Sequence, residues 1–150
     1  MNLDSDPNLT QIKNSGKAHF YGMEFEIQAN PSRKIQNGLS YSYIQRKNTT
    51  SPDLKFIDVP QHQLLIYLNW DIHKYLATYL TFRANSDRFS TSYGTKAKAF
   101  SLLDLKISSQ LKPKIRLESG MKNILDVNYE LVEGYPSPGR QYFINVVYGK

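Results

Sequence analysis

Cysteine is absent from the 150-residue chain, which removes disulfide scaffolds, thiolate metal sites and thiol catalysis together. Long apolar runs are missing too. The longest, Leu64 to Leu68, stops at Asn69, whereas a spanning helix needs about 18 residues. Any meeting with a membrane must therefore be made by strands. Alanine is scarce while Asn, Ser and Thr are plentiful, a balance that disfavours helix. The net charge of +6 could draw an anionic partner. Its Lys and Arg residues are spread along the chain, however, with no basic cluster or recognition helix, so no nucleic-acid partner is expected. Met1 to Gly16 is polar and carries no apolar signal-peptide core.

Catalytic signatures are equally lacking. Gly-x-Gly-x-x-Gly, Gly-x-Ser-x-Gly, His-Glu-x-x-His and phosphate-loop patterns do not occur. His19, His62 and His73 fall on different segments with no partner at metal-ligand spacing. Glu24 and Glu26, two apart on one strand face, could form an acid–base pair, but read more simply as solvated charges. The expectation is a chain without active site, cofactor or metal, and not an enzyme.

What is abundant is aromatic. Eleven Tyr, seven Phe and one Trp favour strands, and the dominant period is two. From Lys17 to Ala29, Tyr21, Met23, Phe25, Ile27 and Ala29 share a face, opposite Gly22, Glu24, Glu26 and Gln28. Similar alternation marks Ile35 to Gln45, Gln61 to Asp71, and the stretch from Leu76 to Ala84. It recurs around Leu103 to Ile107, in Lys114 to Lys122, and in Tyr142 to Tyr148. Seven strands are predicted.

Their connections alternate. Tight turns are expected near Asn30 to Arg33, Asp71 to Lys74 and Leu111 to Pro113. Long polar links run from Lys47 to Pro60, Ser86 to Ala97 and Asn123 to Gly139. In an antiparallel meander every tight turn then lies at one end and every long loop at the other, as in outer-membrane barrels. A soluble sheet with one buried face explains the alternation equally well. It explains less well the charges of Glu24, Glu26, Arg116 and Glu118 on one face and the aromatics near strand ends on the other. Trp70, Tyr148, Tyr41 and Tyr43 stand where interfacial girdles need them.

A motif sharpens this reading. Gly120 to Tyr129 reads Gly-Met-Lys-Asn-Ile-Leu-Asp-Val-Asn-Tyr, and Gly134 to Arg140 reads Gly-Tyr-Pro-Ser-Pro-Gly-Arg. Together they resemble the end of TonB-dependent receptors, where a Lys-Asn-Leu-Phe-Asp-x-x-Tyr stretch precedes a Gly-Tyr-Pro-x-Pro-Gly-Arg stretch that opens the final strand. Lys122, Asn123, Asp126, Tyr129, Gly134, Tyr135, Pro136, Pro138, Gly139 and Arg140 fall on matching positions. Tyr21 to Glu26 and Val59 to His62 are weaker echoes, so the likeness runs from Asn14 onward. Without any family, the prolines require a loop there, and Asn123 and Asp126 favour turning.

The resemblance implies an all-β fold, an antiparallel up-and-down meander forming part of a transmembrane barrel. The family's barrel has 22 strands and a plugged lumen, of which residues 17–150 would supply the last seven. Residues 1–16 would be a polar loop or the end of a preceding strand. The implied place is the bacterial outer membrane, and the implied work is TonB-dependent uptake of iron–siderophore, cobalamin or a similar nutrient. Outer-membrane lipid would be a partner, as would a missing N-terminal barrel and plug portion. The TonB complex would be reached only through that portion. Arg88, Tyr93 and Lys96, with Lys98 beside them, lie in a loop that would face ligand. The chain departs from the family by ending Val147-Tyr148-Gly149-Lys150 rather than on an aromatic residue, which points to a truncated or split product. Two other readings are a remnant of a receptor gene and a small self-contained barrel acting as carrier or adhesin. The small barrel would need an even strand number, and Leu3 to Lys13, with Asp4, Asp6 and Pro7, makes a poor eighth strand.

Overall fold

The computed structural model describes residues 16–149 and builds them from strands and turns alone. Leu3 to Lys13, expected to make a poor eighth strand, lies outside the described residues. In chain order the strands are β1 (Ala18–Ser32), β2 (Ile35–Asn48), β3 (His62–His73), β4 (Leu76–Asn85), β5 (Arg88–Phe89) and β6 (Lys96–Ala97). They continue as β7 (Phe100–Lys112), β8 (Ile115–Lys122), β9 (Glu130–Val132), β10 (Tyr135–Pro136) and β11 (Gln141–Tyr148). Seven of them form one sheet in the order β1-β2-β3-β4-β7-β8-β11. Every pairing in it is antiparallel.

The register explains the period of two. Ile27, Leu39, Ile66, Phe82 and Leu103 stand opposite one another across five strands. Ala29, Asn37, Leu68, Leu80, Leu105, Met121 and Tyr142 cross all seven. Because side chains alternate across a strand, these rows stack into one apolar face. The other face carries rows such as Gln28, Gly38, Tyr67, Thr81 and Asp104. A Cβ on Gly38 would sit 2.5 Å from the Tyr67 ring, so glycine lets that ring lie flat across β2.

The apolar face has nothing of its own to pack on. Among the described residues only Ala97, Phe100 and Leu102 are buried and apolar, while Phe25, Ile27, Ile66, Trp70, Ile107, Ile144 and Val146 are all exposed. Moving each such side chain out of water is worth about 1.5–3 kcal/mol. A water-soluble sheet would have used that gain. Among the described residues β1 and β11 are the edges of this sheet.

The tight turns fall slightly later than expected. Their central residues are Arg33-Lys34, Lys74-Tyr75 and Pro113-Lys114, because each strand continues past its regular ladder through a register shift. The shifts lie at Ala29/Ser32, Asp71/His73 and Gln110/Lys112. Pro31 sits inside the first, where its missing N–H breaks no ladder. Each turn is also tied to the following strand. The Lys34, Tyr75 and Lys114 carbonyls accept from the N–H groups of Asp71, Gln110 and Gly149 at 2.8, 2.8 and 3.0 Å.

Candidate functional site

The three long links gather at the opposite end from these turns. Two contain short hairpins, β5–β6 and β9–β10, where the sequence predicts only loop. Pro136 thus enters a two-residue ladder, on an edge that tolerates the absent donor.

Backbone bonds join the first link to the second. The Lys55 N–H donates to the Ser92 carbonyl and that of Asp58 to Phe89, both at 2.9 Å. Arg46 reaches from β2 to the carbonyls of Phe56, Ile57 and Val59, and its guanidinium lies 5.6 Å from the centre of the Phe56 ring. Between the two links lies a cavity of about 330 Å³ bordered by Lys47, Lys55, Phe56, Asp87, Phe89 and Lys96.

The second link is fastened to the third through Arg88. Expected in a ligand-facing loop, Arg88 is 5% exposed. Its Nε donates to the Leu131 carbonyl at 2.8 Å, and a terminal nitrogen donates to Glu130 and Leu131 at 2.5 Å each. Phe100 lies beneath it, 5.5 Å from guanidinium to ring centre, and packs at a tilt against Tyr129, with ring centres 4.7 Å apart. The other two residues named with Arg88 sit differently. Tyr93 is 90% exposed near the hairpin tip, and Lys96 pairs with Asp87 at 2.7 Å.

The motif residues shape the entry to the last strand. Asn123 and Asp126 both adopt the left-handed conformation, with φ of 51° and 53°, which their short polar side chains tolerate. Asn123 is 3% exposed. Its amide donates to the Val127 carbonyl at 2.9 Å and accepts from the Val127 N–H at 3.0 Å. Asp126 Oδ1 accepts the Arg140 N–H at 2.8 Å, and a Cβ on Gly139 would come within 3.0 Å of that same oxygen. Gly134 turns the β9–β10 hairpin at φ 79°, with its N–H bound to Glu130 Oε2 at 2.9 Å. Lys122 closes β8 opposite Gln141, and Pro138 lies between hairpin and β11.

Sequence reasoning missed Asp104. One of its oxygens accepts the Asn123 N–H at 2.8 Å and the other bridges Arg83 at 2.7 Å, so it links the polar wall to the third link. On the same wall Glu118 meets Arg116 at 3.2 Å and Lys106 at 3.9 Å. Period-two alternation is enough to put Asp104 and Glu118 on the polar face. Their partners depend on register, which no local pattern supplies.

Residues 2–124 match the family described as TonB dependent receptor-like, beta-barrel. Of the motif residues only Lys122 and Asn123 fall within that span. The fold is shared with the ferric-catecholate import receptor Fiu from E. coli at 15% identity and a TM-score of 0.75, over 89% of this chain and 21% of that one. The siderophore receptor PirA from Acinetobacter baumannii aligns at 18% and 0.75, over 90% and 22%. The copper transporter OprC aligns at 17% and 0.74, over 89% and 24%. The chain therefore spans between a fifth and a quarter of the length of these structures. An open seven-stranded meander, apolar on one face and charged on the other, with short turns at one end and packed loops at the other, agrees with the family match: the chain belongs to the TonB-dependent receptor β-barrel family.

Proposed function

We propose that this chain is a segment of the wall of an outer-membrane importer that takes up an iron–siderophore complex, cobalamin or a similar scarce nutrient. The observation that carries this reading is the predominantly apolar face that runs across seven strands, exposed or half-buried, set against an opposite face bearing Arg83, Asp104, Lys106, Arg116 and Glu118. Lipid covers the first and a water-filled or plugged lumen borders the second. The two free edges pair with further strands of the barrel, and energy coupling through TonB belongs to the plug portion.

The packed loops supply the ligand-facing rim. Tyr93 and Lys96 stand on the β5–β6 hairpin, and Arg88 serves them by fixing that hairpin to the third link. The segment from Lys122 to Arg140 is structural, aiming the final strand. That the similar structures include a ferric-catecholate import receptor, a siderophore receptor and a copper transporter leaves the cargo to experiment. The test is uptake of labelled ferric siderophores, cobalamin and copper by cells lacking the gene, combined with membrane fractionation. Selective loss of one cargo, with the protein in the outer membrane, supports the proposal. Unchanged uptake of all, or a protein found elsewhere, overturns it.

A further inference from the structure

Positive charge is not shared evenly between the two ends of the sheet. With two residues on either side, the three long loops, residues 49–61, 86–99 and 123–140, hold seven Lys or Arg against six Asp or Glu. The tight-turn end differs. Arg33, Lys34, Lys74, Lys112 and Lys114 are all exposed, and none forms an ion pair among the described residues. No Asp or Glu lies in the turns or within two residues of them, and the nearest carboxylate is that of Asp71, whose N–H donates to the Lys34 carbonyl.

Exposed apolar and aromatic side chains accompany these cations. Trp70, Ile72, Tyr75, Leu111 and Tyr148 are at the same end, and Lys74 Nζ lies 4.6 Å from the centre of the Tyr75 ring. The carbonyl ties from each turn to the next strand hold the rim in shape. Successive turns are two strands apart, hence about 10 Å.

We propose that this rim is a docking surface for anionic phospholipid headgroups in the leaflet facing the tight turns. Rows of cations just beyond aromatic side chains suit an interface where rings sit at headgroup level and amines reach phosphate. Cations distributed one or two per turn along an arc, each beside exposed apolar surface, fit a continuous lipid layer better than a compact acidic protein. The proposal rests on the membrane reading above.

Trp70, the chain's only tryptophan, provides a reporter at this rim. The full chain is reconstituted in bilayers containing brominated phosphatidylcholine or brominated phosphatidylglycerol, and quenching of Trp70 fluorescence is measured. The expected result is quenching by both, with about fivefold preference for the anionic lipid, the figure for one Lys or Arg near such a surface. Raised salt should erase the preference, as should combined Arg33→Gln, Lys34→Gln, Lys74→Gln, Lys112→Gln and Lys114→Gln. If that variant fails to fold, the pair Arg33→Gln and Lys34→Gln alone and the salt series on the unaltered chain decide. Equal quenching by the two lipids overturns the rim proposal and leaves the membrane reading standing. No quenching by either overturns both.

Discussion

Arg88 shows how much one buried side chain settles at the loop end. Its three hydrogen bonds are charge-assisted, each worth about 1.5–3 kcal/mol in a buried setting. Arg88→Ala removes them and leaves the Glu130 and Leu131 carbonyls without that donor. Limited proteolysis within residues 123–140 should accelerate strongly in this variant, and Arg88→Lys should restore protection only in part, since an ammonium lacks the planar fork. An unchanged digestion pattern would remove Arg88 from its role as fastener. Asn123 permits a finer separation, because it combines a positive φ with two side-chain bonds. Asn123→Gly keeps the backbone conformation and loses the bonds, whereas Asn123→Ala loses both. The alanine variant should be less stable than the glycine variant by about 1 kcal/mol, read from thermal unfolding in detergent. Equal stability of the two variants would mean that the side-chain bonds alone matter, and the reverse order would mean that the positive φ carries no cost.

At the scale of the strands, burial by lipid should follow the alternation and not hydrophobicity alone. Ile66 and Leu80 lie on the apolar face in mid-sheet rows, so Ile66→Arg or Leu80→Arg should cost about 2–4 kcal/mol at the bilayer centre. Gln28→Arg and Ser42→Arg, on the opposite face, should cost little. Folding titrations in lipid vesicles measure both, and equal costs on the two faces would contradict the assignment. The same alternation made all seven long strands legible in the sequence, with Trp70 near a tight turn and Tyr41 and Tyr43 near a long loop. Tyr41 there bonds His62 at 2.7 Å, a pairing that spacing did not disclose. The four short strands were illegible because ladders of two or three residues contain no period. The start of β7 was missed for a related reason: Leu102 and Leu103 are both apolar, so the polar-face positions of Phe100 and Leu102, buried beneath the loops, do not alternate. The expected turns came early because a bulge adds residues that pattern counting cannot see. Of the candidate site, the loop residues were located and their uses were not. Whether Arg88 faces a ligand or a carbonyl depends on contacts 43 residues away.

For the molecule as a whole, exposed apolar surface and two open edges set the solution behaviour. Expressed alone, the chain should be insoluble in plain buffer and refold only in detergent or lipid. A monomer that unfolds cooperatively without detergent, seen by centrifugation and circular dichroism, would exclude a membrane wall. The chain alone should also neither bind a siderophore tightly nor restore uptake to a receptor-deficient strain, because seven strands cannot enclose a lumen of the family's size. Uptake by the chain alone would revive the small self-contained barrel. The sheet's order has a consequence for assembly. Each long strand pairs with the long strand before it in the chain, so growth needs no crossover and each step closes only one loop, with an entropy that rises slowly with loop length. A wall of this kind can be laid down hairpin by hairpin. Because among the described residues β11 is held in the sheet by β8 alone, removing it should leave the other six strands zipped, a shorter sheet rather than an unravelled one.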